Sequence, residues 1–366
     1  MQIYYPYIIL TCIVIFFLAL NFYALVHSRS LPIYYELILA TVLILFAGLN
    51  ATGPDIEVYK SMFADVQAST GQTLLHNAFF GRDIFYGLLL VAVSAIGLGN
   101  TTVFLTSAVL SIGIKVVAFR YAFGNSILGL GLYFSSFYFL HDFTQIRLAI
   151  ALAFCFLALA VLINGKRLLY LIFCILAIGF QAQTIMFVIA TVSLLTNLKY
   201  KYLLVFLSII IIGLLFSSVN FILDLDIISS RAGTNNGFSS LRLTTIMVIV
   251  INAFIIATAY IGSIDRFKQL NDQEIAKVSM LLYFGGLLFF CITIASSDVL
   301  AWRVYEMFAA FGVFVIITSL RSASQKISYL AGLSYFVFNL AIYFRSDLLV
   351  KPSINNNFGA LHGIFQ

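Results

Sequence analysis

One short stretch concentrates more chemistry than any other in this chain. It is His141-Asp142-Phe143-Thr144-Gln145-Ile146-Arg147, which opens directly into the apolar run Leu148-Ala149-Ile150-Ala151-Leu152. An imidazole or a carboxylate within hydrogen-bond reach can take a proton from a hydroxyl, so His141 and Asp142 are both candidate general bases. Arg147 stands at a helix start, the wrong end of the helix dipole for a cation, and so needs an anionic partner. Asp142 is one such partner. A phosphate is the other, because the guanidinium fork matches its oxygens. Charges at the centre of a membrane helix cost roughly 2.5–3.5 kcal/mol on insertion scales, so such residues usually face a protein-lined cavity.

A second cluster repeats the theme in Asp298 and Trp302-Arg303-Val304-Tyr305-Glu306. Arg303 and Glu306 are spaced to pair along a helix, Tyr305 is a candidate substrate contact, and Arg303 is a second cation for an anionic group. Earlier in the chain, Gly53-Pro54-Asp55-Ile56-Glu57-Val58-Tyr59 opens an expected amphipathic helix on the membrane surface. There Asp55 and Glu57 complement the helix N-terminus, or Asp55 and Tyr59 grip sugar hydroxyls. Arg82-Asp83 reads as a helix-start acid beside a solvated arginine. The segment 168–195 contains Gly179-Phe180-Gln181-Ala182-Gln183-Thr184, which reads either as a broken helix near the substrate, with Gln181 and Gln183 as contacts, or as a short hairpin. The polar stretch 229–240 is a lid or a surface loop, and Arg242 at its end is a further candidate for binding an anion.

Positioning these groups is the task of a very apolar chain. Of 366 residues, 62% are hydrophobic and 9% charged, with mean hydropathy +1.07. Soluble domains carry about 25% charged residues. The apolar runs are continuous rather than alternating, which selects helices over a barrel. The fold class expected is all-α: a polytopic integral membrane helix bundle of about 12 transmembrane helices (range 11–13) with short or broken central helices. Residues 1–366 form one integral domain, with extracytoplasmic loops at 51–82 (carrying the amphipathic helix) and 222–242. The net charge of +6 comes from basic residues in short loops, so no nucleic-acid partner is expected. Cys12, Cys155, Cys174 and Cys291 lie in apolar runs and read as small buried hydrophobes. No metal-ligand, P-loop or dinucleotide motif is present, so neither a metal nor a cofactor is expected.

The basic loops at His27–Arg29, Lys166-Arg167, Lys199–Lys201, Arg266–Lys277 and Arg321–Lys326 are expected on the cytoplasmic side. One conflict follows. If 51–82 is outside and 120–125 inside, an odd number of crossings must separate them, yet two apolar segments do. Either 84–98 is re-entrant or interfacial, or Arg120 faces outward.

The Gly53-x-Asp55…Tyr59 element, Arg147 with Ala151, the broken span and Arg303 together resemble the EpsG-type polymerases of bacterial exopolysaccharide. These are similar in role to the Wzy O-antigen repeat-unit polymerases. Two positions depart from the pattern: Leu148-Ala149 replaces a Gln-Gly pair, and Gln181 stands where a His is common. The resemblance implies a metal-independent membrane glycosyltransferase of the bacterial inner membrane, with its active site facing the periplasm or outside. Its substrate would be a polyprenyl-diphosphate-linked oligosaccharide, such as one on undecaprenyl diphosphate, and a flippase and a chain-length regulator would work beside it. Arg147 and Arg303 would carry leaving-group charge, His141 or Asp142 would be the base, and Asp55 and Tyr59 would orient the acceptor. The rival expectations are a transporter or flippase of lipid-linked saccharides and an O-antigen ligase-like enzyme.

Overall fold

The computed structural model describes residues 5–26, 31–49, 55–69, 83–196, 200–223, 243–264, 267, 270–294, 298–322 and 326–345. Every regular element among them is helical. The chain divides into two compact units, Met1–Ala182 with Phe336–Gln366, and Gln183–Tyr335. The division falls inside the Gly179–Thr184 stretch, which the sequence reads either as a broken helix or as a short hairpin.

The first unit contains α1 (Tyr5–Val26), α2 (Ile33–Leu49), α3 (Ile56–Ala68), α4 (Ile84–Ala95), α5 (Asn100–Phe123) and α6 (Ile127–Tyr133). A π-helical turn, Phe134–Tyr138, then leads into α7 (Phe139–His141), followed by α8 (Ile146–Ile163) and α9 (Arg167–Phe180). At its centre is α8, buried on nearly all faces between α5 and α9. A helix apolar all round must be enclosed, and the buried small residues Ala149, Ala151, Ala153, Ala158 and Ala160 let neighbouring helices approach closely. By contrast, α9 buries Tyr170, Cys174 and Ala177 and exposes Leu168, Leu171 and Ile175, a face suited to lipid.

Glu36, in the first turn of α2, bears on the sidedness conflict. Its carboxylate accepts from Arg120 at 2.6 Å and from the Ser126 hydroxyl at 2.7 Å and amide at 3.1 Å. The start of α2 and the end of α5 therefore share one rim. Gly124, at φ +73°, terminates α5 with its amide on the Arg120 carbonyl, a left-handed cap that glycine adopts without strain. With Arg120 on that rim, the short α4 fits the re-entrant or interfacial alternative. Its 12 residues rise about 18 Å, well short of a ~30 Å hydrocarbon core.

The second unit contains α10 (Ile185–Val192), α11 (Lys201–Leu223), α12 (Leu243–Ile261), α13 (Leu270–Thr293), α14 (Asp298–Ala309) and α15 (Gly312–Ser322). The last helix, α16 (Lys326–Arg345), begins in this unit and ends in the first. Phe187 stacks on Phe311 at 5.3 Å. Arg321 bonds Asp272 at 3.4 Å, bringing the end of α15 and the start of α13 to one rim, consistent with both flanking loops being basic.

Five helical stretches among the described residues, one of them running from Leu300 in α14 through α15, are long and apolar enough to cross a membrane. A count of about 12 crossings is therefore not reached by helix length alone. Cys155 and Cys174 are buried as expected, whereas Cys12 and Cys291 are exposed.

Candidate functional site

Two polar clusters lie in the first unit, and both draw on the His141–Arg147 stretch. The first is centred on Asp142. Its Oδ1 accepts from the Ser111 hydroxyl at 2.6 Å and Lys115 Nζ at 3.2 Å. Its Oδ2 accepts from the Tyr133 hydroxyl at 2.7 Å and Lys115 Nζ at 3.3 Å. Lys115 also bonds Ser111 and lies 4.3 Å from the centre of the Tyr133 ring. Both charged side chains are fully buried. Lys115 lies roughly 8 Å along α5 from Arg120.

The π turn shapes the same site. Tyr133 and His141 would be roughly 12 Å apart along a straight helix, yet their ring centres lie 6.3 Å apart. Phe137 stacks on His141 at 5.3 Å. Extra backbone turns of this kind are frequent at functional sites.

The second cluster is centred on Asp83. One carboxylate oxygen bonds Arg147, and the other accepts the Ala182 amide at 3.0 Å, at the break after α9. The Arg147 guanidinium lies 5.7 Å from the centre of the Tyr59 ring, and Tyr59 meets Tyr86 edge-on at 5.6 Å. Gly179 permits this approach: a Cβ there would lie 2.0 Å from the Phe85 ring. Thus α3, the start of α4, the start of α8 and the end of α9 converge on one carboxylate and one guanidinium. Burial pushes the Tyr59 phenol up, partly opposed by Arg147, which keeps its proton available to donate. Arg147 Nε is buried with no hydrogen-bond partner among the described residues.

Several expectations are corrected by this geometry. Asp142 is not the partner of Arg147: its acceptor sites are taken by Lys115, Ser111 and Tyr133, and Asp83 pairs with the arginine instead. Asp83 is accordingly more than a helix-start acid, and it makes no side-chain cap bond. Asp55 precedes α3 without a side-chain cap bond, and Glu57 pairs with Lys60 at 2.7 Å. The apolar face of α3, with Ile56, Tyr59, Phe63 and Val66, is buried in protein rather than resting only on lipid. Gln181 is buried and extended at the end of α9. Gln183 falls in the 3-10 turn Ala182–Thr184, within the second unit.

In the second unit Arg303 is half-buried. Tyr305 is buried against Phe290 and Trp302. Arg242 lies outside the described residues, as do Gly53 and the loop at 229–240. Among the described residues no group of His, Cys, Asp or Glu could hold a metal ion.

Three participants escape sequence reasoning: Lys115, Tyr133 and Asp83. Lys115 carries a readable signal, as a lone lysine late in the apolar helix Asn100–Phe123. Tyr133 is one of 20 tyrosines and carries none.

Searches of characterised proteins and of solved structures return no match. The EpsG family model matches residues 33–358, a span that holds both clusters and both candidate arginines. With its apolar helices, Arg147 at the start of α8 and the broken span after α9, this multi-pass membrane chain belongs to the EpsG family, a family of polysaccharide polymerases.

Proposed function

We propose that the protein joins polyprenyl-diphosphate-linked oligosaccharide repeat units on the outer face of the bacterial cytoplasmic membrane. The growing chain leaves its lipid diphosphate and passes to a hydroxyl of the next unit. Arg147 lies roughly 24 Å along α8 from the Lys166 end, which is the cytoplasmic end if the basic loops face inward. One observation carries the reading: a largely enclosed guanidinium in a family of polysaccharide polymerases, set between Tyr59, Asp83 and the broken span, keeps its buried Nε donor unmet among the described residues. Buried donors rarely stay unmet, and a diphosphate oxygen supplies the acceptor. Preorganised cations stabilise charge as it develops on the leaving group; Arg303, in the second unit, is a separate candidate cation. Tyr59 donates to a sugar or phosphate oxygen, Asp55 helps orient the acceptor, and His141 or Asp142 takes the hydroxyl proton.

The test is a deletion strain examined for its lipid-linked sugars. Single repeat units accumulating on the outer face support the polymerase. Units trapped on the inner face would overturn it in favour of a flippase. Arg147→Ala and Arg303→Ala, at normal protein level, are expected to reproduce the deletion, and normal chain lengths in either would remove that residue from the site.

A further inference from the structure

The buried network around Asp142 contains more information than a salt bridge. Asp142 is matched by Lys115 and accepts at both oxygens, so it has no proton to give Tyr133. The Tyr133 hydroxyl has one proton, and it is committed to Asp142 at 2.7 Å. Toward His141 the same oxygen can only accept. His141 Nδ1 lies 3.5 Å from it, a long contact, of the kind that commonly tightens when substrate binds. The ring is held in place by its stack on Phe137. Among neutral tautomers, only the one with hydrogen on Nδ1 satisfies this arrangement. Nε2 is then left with a bare lone pair, and it is fully buried with no partner among the described residues.

We infer that the chain Lys115–Asp142–Tyr133 presets His141 in the Nδ1–H tautomer, making Nε2 the atom that receives the acceptor proton. This deepens the polymerase reading and rests on it. It also separates two roles left open above: His141 is the base, and Asp142, Tyr133 and Lys115 are positioning residues. A partner on the far ring nitrogen is how proteins generally set a histidine's reactive nitrogen. In the transfer, the acceptor O–H gives its proton to Nε2. The oxygen forms the new bond to the anomeric carbon. The bond from that carbon to the diphosphate oxygen breaks, and its electron pair leaves with the lipid diphosphate.

The tautomer can be read directly. In full-length protein bearing His27→Gln, His76→Gln and His362→Gln, His141 is the remaining histidine, and imidazole 15N NMR distinguishes Nδ1–H from Nε2–H. The expected signal is Nδ1–H. In Asp142→Asn, Tyr133 is released to donate to Nδ1, and the hydrogen is expected to move to Nε2. Tyr133→Phe, which keeps the ring, should lose the preference for Nδ1–H and slow polymer formation roughly tenfold, whereas His141→Gln should slow it ~100-fold, within the range for a lost general base. An Nε2–H signal in the unsubstituted site would overturn the inference and leave the polymerase reading standing. The expected tautomer in a protein whose deletion traps units on the inner face would overturn the polymerase reading instead. Should Asp142→Asn fail to fold, Tyr133→Phe alone decides: an unchanged tautomer there also overturns the inference.

Discussion

Replacing Lys115 by methionine isolates the energetics of the buried pair. The wild-type ammonium lies 3.2 Å and 3.3 Å from the two Asp142 oxygens, and both side chains are fully buried. Lys115→Met preserves the length of the side chain but leaves Asp142 with two hydroxyl donors and no counter-charge. Removing one partner of a buried pair typically destabilises by about 3–5 kcal/mol. Against a total stability of about 5–15 kcal/mol, that is a large fraction, and a 4 kcal/mol loss corresponds to roughly a thousandfold shift in the folding equilibrium. Lys115→Met/Asp142→Asn removes both charges while keeping the side-chain shapes, and it should recover all but ~1 kcal/mol. The assay is detergent-driven unfolding in mixed micelles followed by circular dichroism, analysed as a double-mutant cycle. A coupling of at least ~2 kcal/mol is expected. If Lys115→Met were as stable as the double variant, the pair would contribute nothing and the argument for a built polar network would fail. The double variant should also remain slow in polymer formation although folded, because Tyr133 loses its carboxylate acceptor.

Other perturbations probe the remaining links. Gly179→Ala places a Cβ 2.0 Å from the Phe85 ring; a loss of about 1–3 kcal/mol is expected from overpacking, and Phe85→Leu should restore much of the melting temperature. Asp83→Asn should keep the Ala182 contact but remove the charge facing Arg147, and the combined Asp83→Asn/Arg147→Ala variant should be less destabilised than the sum of the two in thermal melts. Glu36→Gln weakens the bond to Arg120, whose side chain is 43% exposed; a loss of ~1 kcal/mol is expected, with polymer length unchanged in surviving protein. In a background freed of the four cysteines, Asn125→Cys should label from the same membrane side as Ser30→Cys, and Leu98→Cys from the opposite side. Labelling of Asn125→Cys and Leu98→Cys from one side would contradict a re-entrant α4.

Much of the fold is legible without coordinates because membrane insertion imposes strong rules. Continuous apolar runs with charges confined to loops permit helices alone, and a few short motifs within them resemble one family. Gly179–Thr184 reads as a break because two helices of that length cannot share one crossing flanked by basic loops. Arg147 reads as an arginine in need of an anion because a cation at a helix start is misplaced electrostatically. These inferences depend on local sequence and on the solvent, and both are visible in one dimension.

The pairings were not legible, because they depend on which helices lie side by side. Lys115 and Asp142 are 27 residues apart, Asp83 and Arg147 are 64 apart, and Glu36 and Arg120 are 84 apart. Sequence alone offers Asp142 as one candidate partner for Arg147, since they are near neighbours in the chain. In the folded protein the π turn and the packing of α8 against α5 turn Asp142 toward Lys115, while the close contact at Gly179 brings Asp83 to the arginine. Hydrophobic patterning says that a polar group is buried. Only tertiary packing says beside what, because a side chain's electrostatic partner is chosen by distance in space and not by separation along the chain.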